Sequence, residues 1–424
     1  MVNRVRRLSL ATVALTSAAL VIAGCSSTPD GGAAAEDKVI TWTNYQGGDA
    51  NAKYKEVIAA FEKANPGWTV EQQNLAGDGT YSKIVTSQIQ ANKAPDLVDV
   101  MVADIPAMVD AGMLTDLSDE SWAARQLPAV ESYAESTTGG STYALVTGLD
   151  VIGVYYNKDL FNDAGVEVPT DWPSFETAVK TFRSDGITPL ALGGKDGWPI
   201  NVQMQLMAAN LLAGTAEPDE LTSGETPYVD SVAWNEVLDD AIGLVADQAY
   251  DPNVLGIDWP TSAADFAAGK SAMLIMGSFG LPAIRQANEE MNLGMFALPY
   301  GDSGSPRAAV GYGTFIAVPT NATQSEGAKK FLDFLTSDEE YPSFLKAAAQ
   351  FPSLEGAPFE AFDESATEIA KTVQSDSFEY NSSGGLNNAA VQAIASQQFQ
   401  SLFNGTGSPR SVLEAFDTAI AQAK

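Results

Sequence analysis

Cys25 is the only thiol in the chain, and it closes the run Leu20-Val21-Ile22-Ala23-Gly24-Cys25. A thiol directly behind two small residues and an apolar segment can become a lipid-modified N-terminus, because a signal peptidase admits small side chains at its cleavage site. Arg4, Arg6 and Arg7 supply the positive start of such a leader, and Leu8 to Ile22 its apolar stretch. That stretch is short for a bilayer span, and a solitary cysteine ending a leader by chance is improbable. The expectation is that residues 1–24 are a removed signal peptide, with lipidated Cys25 anchoring an exported protein to the outer face of the cytoplasmic membrane. Arg6-Arg7 also allows a twin-arginine signal, although Leu8, Ser9 and Leu10 match that pattern only loosely.

The rest of the composition removes chemistry. The chain has no histidine, so Ser-His-Asp and Cys-His arrangements, the zincin helix and imidazole metal ligands are excluded. No GxxxxGK[ST] or GxGxxG follows a strand-like run, and no cofactor is expected. Paired carboxylates for glycoside hydrolysis remain available, but 54 Asp and Glu residues make incidental pairs certain. The formal net charge is −31, and loss of the leader removes three arginines and no acid. A chain that acidic is repelled by nucleic acid and anionic head groups, so membrane contact is expected through the lipid alone. A single cysteine forms no internal disulfide. Stability rests on core burial, for which the length suffices, split between two domains.

These residues need elements to position them. Residues 25–37 combine Pro, Gly and small polar side chains with almost no hydrophobic bulk, and read as a flexible tether. Val39 to Trp42 is a strand-like run, followed by turn-prone residues from Asn44 to Gly48. Tyr54, Val57, Ile58 and Phe61 then recur at helical spacing until Asn65-Pro66-Gly67. The alternation continues with Trp68 to Val70 as a strand, Tyr81, Ile84, Val85 and Ile89 as a helix face, and Leu97 to Val102 as a buried parallel strand. Later helix faces are Phe175, Ala178, Val179 and Phe182 behind Pro173; Ala328, Phe331, Leu332 and Leu335; and Val412, Leu413, Phe416 and Ile420. The pattern is that of an α/β protein without internal repeats.

The landmarks occur in a particular order. After Ile40-Thr41-Trp42 come Ala94-Pro95-Asp96-Leu97-Val98, Ala111-Gly112-Met113-Leu114, and Tyr155-Tyr156-Asn157-Lys158-Asp159-Leu160-Phe161. Then follow Phe266-Ala267-Ala268-Gly269-Lys270, Gly277-Ser278-Phe279, and Leu298-Pro299 leading to Gly311-Tyr312-Gly313. In order and spacing, behind a lipid-anchoring leader, the mature chain resembles the extracellular solute-binding proteins of ABC importers, the sugar-binding family that includes maltose-binding protein. The resemblance implies a two-lobed, periplasmic-binding-protein-like fold of type II, with ligand in the cleft between lobes and closure read by a permease. Lobe 1 would comprise 38–148 plus 312–350, and lobe 2 would comprise 149–311 plus 351–424.

A sugar presents apolar C–H faces ringed by hydroxyls, so its pocket needs flat aromatic platforms beside in-plane donors and acceptors. Asn44, Tyr45 and Gln46, just after the first strand, fit that demand, with ordinary turn chemistry as the alternative. Tyr81 on the second helix joins them as a candidate. Asp104 follows the third strand, where capping the next helix is the alternative. Asp150 lies in an apolar strand, where an unpartnered charge is costly, and the resemblance puts polar contacts nearby at the first crossing. Trp198 and Phe279, with Ser278, match family positions for aromatic platforms; Phe279 stands where a tryptophan is common and lacks its N–H donor. Gly313 and Tyr312 bring backbone and a further ring close. Trp259, before Pro260, is an additional candidate.

The expected function is capture of a sugar or oligosaccharide for an ABC permease by a monomeric, non-enzymatic lipoprotein. The Ala-rich, acidic, lysine-poor composition suggests a Gram-positive, actinobacterial-type envelope. The alternatives are a polyamine or polyol-phosphate binder on the same fold and a secreted glycoside hydrolase.

Overall fold

The computed structural model describes residues 38–45, 52–75, 80–127, 130, 139–301, 307–375, 378–380 and 384–423. The leader, Cys25, the tether and Gln46 lie outside the described residues.

Strands alternate with helices from the start, and two sheets result. The first has the order β2-β1-β3-β10-β4, built from β1 (Lys38–Asn44), β2 (Trp68–Asn74), β3 (Leu97–Val100), β4 (Ala144–Val146) and β10 (Phe315–Ala317). β1 runs parallel to β2 and β3, whereas β10 is antiparallel to β3 and β4. The short apolar run of β3 is buried on both faces, as parallel strands are. Leu97 packs with Trp42, Phe61 and Phe331. Val98 and Val100 face the opposite way, toward Tyr81, Val85 and Ile89. Asp99 lies between them, fully buried, and accepts a 2.9 Å hydrogen bond from the Trp42 indole.

The second sheet has the order β11-β9-β5-β7-β6, with β8 also on β5. Its strands are β5 (Leu149–Asn157), β6 (Thr188–Ala191), β7 (Ser271–Gly277), β8 (Leu293–Phe296), β9 (Ala308–Tyr312) and β11 (Phe378–Tyr380). β5 is its spine: β9 and then β8 pair along one edge, β7 along the other. The Tyr155-Tyr156-Asn157 motif closes this strand and starts a helix. The Asn157 side chain accepts from the amides of Asp159 and Leu160 and so caps Lys158–Ala164, which Gly165 ends in the left-handed region. Asp171 and Ser174 form a capping box for Trp172–Ser184, with Pro173 in its first turn.

The chain passes between the sheets three times. Thr147-Gly148 link β4 to β5, and Gly313-Thr314 link β9 to β10. The third passage follows the helix Glu340–Ala348, where Phe351 bridges to Leu149. The division expected after Gln350 falls inside this passage. Phe351 is bound to Leu149 of the second sheet, Ser353 and Leu354 pair back with Leu127 and Gln126 on the side of the first, and Asp363, bound to Arg285, lies on the second again.

Candidate functional site

Register determines which loops face the crossings. In the second sheet Leu149 pairs with Tyr312 and Ile152 with Gly277, so the start of β5 and the ends of β9 and β7 share one end. β6 is parallel to β7 and ends there too. In the first sheet Phe315 opposes Val100 and Val146, which brings the ends of β3 and β4 to the start of β10, with β1 parallel to β3. Gly148 and Gly313 join these two ends. The loops after β1 and β3 therefore share the crossing region with those after β6, β7 and β9, the arrangement in which open α/β sheets present binding groups.

On the second sheet this end carries rings. Trp198 starts the helix Trp198–Leu212, whose preceding Gly197 has φ 76° and would drive a Cβ into Ser396. Trp198 meets Trp259 at a centroid distance of 5.5 Å and Phe279 at 6.2 Å. Trp198 and Trp259 are half-buried, and Phe279 is 39% exposed. The loop beneath them is held firmly. The Gln400 amide donates to the carbonyls of Gly194 and Lys195, the Lys195 amide donates to Ile257, and the Trp259 amide donates to the Asp196 carboxylate. Lys195 pairs with Asp258 at 3.4 Å on the exposed rim.

Beside the rings lies a buried polar chain. The Gln350 amide nitrogen donates to Asp150 Oδ1 at 3.0 Å, and the Ser278 hydroxyl donates to the same oxygen at 3.4 Å. Ser278 in turn accepts from the amide of Val151. Thr147 donates to Gln350 Oε1 and accepts from the amide of Thr314. Asp150 retains 9% exposure, so a carboxylate in an otherwise apolar strand is compensated by neutral donors.

The first sheet contributes Asn44, Tyr45, Tyr81 and Asp104. Asn44 is fully buried, and neither its amide nitrogen nor its oxygen has a hydrogen-bond partner. Tyr45 is half-buried and meets Tyr81 edge to face at 5.2 Å. Asp104 is half-buried at the start of the helix Ile105–Asp110 and makes no capping bond, so the capping alternative is not realised.

Three expected contacts offer no free face: the buried Asn44, Tyr81 and Ser278. Tyr81 is 1% exposed, and its hydroxyl donates to the carbonyls of Thr43 and Asp99; burial, with Asp99 nearby, pushes its ionisation far above the ordinary range. Ser278 is fully buried in its bonds to Val151 and Asp150. Tyr81 and Ser278 support Tyr45 and Asp150 from behind. Tyr312 and Gly313 are half-buried at the crossing itself. Sequence reasoning missed Gln350 altogether, since a glutamine behind a helix end carries no signal until the three crossings are brought together.

The described residues thus combine rings, amides, hydroxyls and carboxylates at the meeting of two sheets, and among them no cluster of His, Cys, Asp and Glu could hold a metal ion. Two α/β sheets linked by three crossings, with their loops converging there, define a binding protein of the type II periplasmic class. Residues 46–342 match the bacterial extracellular solute-binding protein family, and the chain belongs to it. It is 26% identical over 363 residues to a multiple sugar-binding protein of Streptococcus mutans, covering 82% of this chain and 81% of that one. A maltooligosaccharide ABC transporter solute-binding lipoprotein of Streptococcus pneumoniae is 24% identical over 365 residues, 81% of this chain and 79% of its own. Among solved structures, a chitin oligosaccharide binding protein superposes with a TM-score of 0.78 at 23% identity, over 92% of this chain and 99% of that one. A solute-binding protein in complex with raffinose gives 0.76 at 19%, over 91% and 99%.

Proposed function

We propose that this chain is a lipid-anchored, non-enzymatic receptor that binds a neutral sugar or oligosaccharide and delivers it to the permease of an ABC importer. The observation that carries the reading is the ring group Trp198, Trp259 and Phe279 beside the hydrogen-bonded Asp150, because apolar sugar faces stack on rings while hydroxyls need in-plane acceptors. The ligand lies between two lobes, one on each sheet, against Trp198, Phe279, Tyr312, Gly313 and Asp150 on one side. Tyr45 and Asp104, both half-buried, meet it from the other. The names of the streptococcal relatives support a saccharide ligand, and the lipoprotein among them supports anchoring through Cys25.

The alternatives fare worse on charge. A polyol phosphate wants arginines, and the cation beside the rings, Lys195, is paired with Asp258. A polyamine wants unpaired converging carboxylates, and at the ring loop Asp258 is paired with Lys195 while Asp196 accepts from the Trp259 amide.

Thermal unfolding with maltotriose, raffinose, N,N′-diacetylchitobiose, spermidine and glycerol 3-phosphate tests the reading. A ligand that binds only the folded state raises the midpoint with its concentration. A rise with a neutral saccharide is expected; a rise with spermidine or glycerol 3-phosphate alone overturns the proposal. Shortened saccharide products after incubation would identify a hydrolase instead.

A further inference from the structure

We infer that Gln350 is the positioning residue that sets how the two lobes are held relative to each other, an inference that rests on the two-lobe reading above. All three passages between the sheets meet its side chain. Its oxygen accepts from Thr147 in the first passage, and Thr147 accepts from the Thr314 amide in the second. Its nitrogen donates to Asp150 at the start of β5. Gln350 itself belongs to the third passage, where its own amide donates to Leu345 and the adjacent Phe351 exchanges both backbone bonds with Leu149.

Packing points the same way. A Cβ on Gly148 would sit 2.7 Å from Gln350 Oε1, and a Cβ on Gly313 would collide with Gln350 Nε2 and lie 2.8 Å from the Gly148 carbonyl. Contacts below 3 Å force something to move, so the carboxamide fills the space that two glycines leave open. Thr147, Ser278 and Thr314 are buried, as is Gln350, so the bonds are shielded from competing water. A change in lobe angle must rotate backbone at one or more of these passages and must strain or exchange these bonds. The Gln350 side chain thus links the passages to Asp150, which touches the proposed ligand site.

The test uses the full chain in a Cys25→Ala background, with spin labels on Lys83→Cys and Asp239→Cys. Both positions are exposed: Lys83 on the helix Tyr81–Gln90, tied to the first sheet through Tyr81, and Asp239 on the helix Val232–Ala246, which packs on Trp198–Leu212 over the second. Interspin distances are measured without saccharide, so the result does not depend on which ligand binds. Gln350→Leu is expected to broaden the distance distribution, and Thr147→Val to broaden it in the same sense. Asp96→Ala, a control remote from the crossings, is expected to lower the unfolding midpoint while preserving the parent distribution. A parent-like distribution in both Gln350→Leu and Thr147→Val overturns the inference, as does equal broadening by Asp96→Ala. Should Gln350→Leu fail to fold, Thr147→Val, which keeps the shape and removes one hydroxyl, decides alone.

Discussion

The indole of Trp198 meets that of Trp259 at a centroid distance of 5.5 Å with planes inclined at 62°, although 60 residues of chain lie between them. Gly193 makes the approach possible, since a Cβ there would stand 2.8 Å from the Trp259 backbone. Both rings remain half-buried, and Phe279 adds a third at 6.2 Å from Trp198. Aromatic surface kept at this exposure and clamped from below is preorganised for stacking, because little side-chain entropy remains to be lost on binding.

Trp198→Ala and Phe279→Ala should therefore weaken saccharide binding by about 1 kcal/mol or more each while changing the unfolding midpoint little. Trp234→Ala is the contrast. Its ring is fully buried, with its N–H donated to the Gly384 carbonyl, and its removal should cost roughly 3–5 kcal/mol of stability. Titration calorimetry and urea unfolding on all three variants separate the roles. A large loss of stability with unaltered affinity in Trp198→Ala would return that ring to the core.

Much of this arrangement was legible in the sequence, for identifiable reasons. Period and caps gave the helices: Phe175, Ala178, Val179 and Phe182 are all buried on Trp172–Ser184, behind the capping box at Asp171. The same reasoning overreached at Ile84, which has helical spacing but is exposed. Trp198 and Phe279 were accessible because adjacent glycines signal backbone brought to a loop. Tyr81 and Ser278 have suitable chemistry, yet the carbonyls and amides that occupy their hydroxyls come from β1, β3 and β5 and are set by register. Gln350 was not legible, since its partners lie 200 and 203 residues away.

Asp96 should prove a principal fastening of the first sheet. One carboxylate oxygen accepts from the amide and hydroxyl of Thr41 on β1, and the other accepts from Thr323 and the Gln324 amide, before the helix Ser325–Leu335. The residue is 1% exposed, so Asp96→Ala removes four bonds to a buried carboxylate, although its donors Thr41 and Thr323 are exposed enough for water to reach them. With about 1.5–3 kcal/mol for a hydrogen bond to a charged group, partly offset by that water, a loss of roughly 2–5 kcal/mol is expected from urea unfolding. A loss below about 1 kcal/mol would show that water replaces these bonds.

The Arg285–Asp363 pair should make stability depend on acid pH. Burial works against ionisation of Asp363, but the bonds from Arg285 and Ser365 outweigh it and hold the carboxyl below its ordinary value. A depressed folded value stabilises the native state fully above the unfolded value of about 4, and that stabilisation disappears as pH falls through the folded value. Arg285→Ala, which also frees the Glu289 and Met291 carbonyls, should be less stable than the parent at pH 7. The gap should narrow below about pH 4. A gap that stays constant between pH 7 and pH 3 in urea titrations would remove the ionic part of this contact.

Cys25→Ala should release the protein from cells. Among the described residues no helix is long and apolar enough to cross a membrane, and the net charge of −31 repels anionic head groups; in the proposed reading it is the lipid on Cys25 that holds the protein. Acyl chains contribute about 0.8 kcal/mol per buried CH₂, and removing their attachment point removes that whole term. Fractionation should find the parent in the membrane pellet and the variant in the medium. Retention of the variant in the pellet with its leader cleaved would mean that something other than Cys25 holds the protein, and the lipid-anchored reading would fail while the saccharide site remained intact.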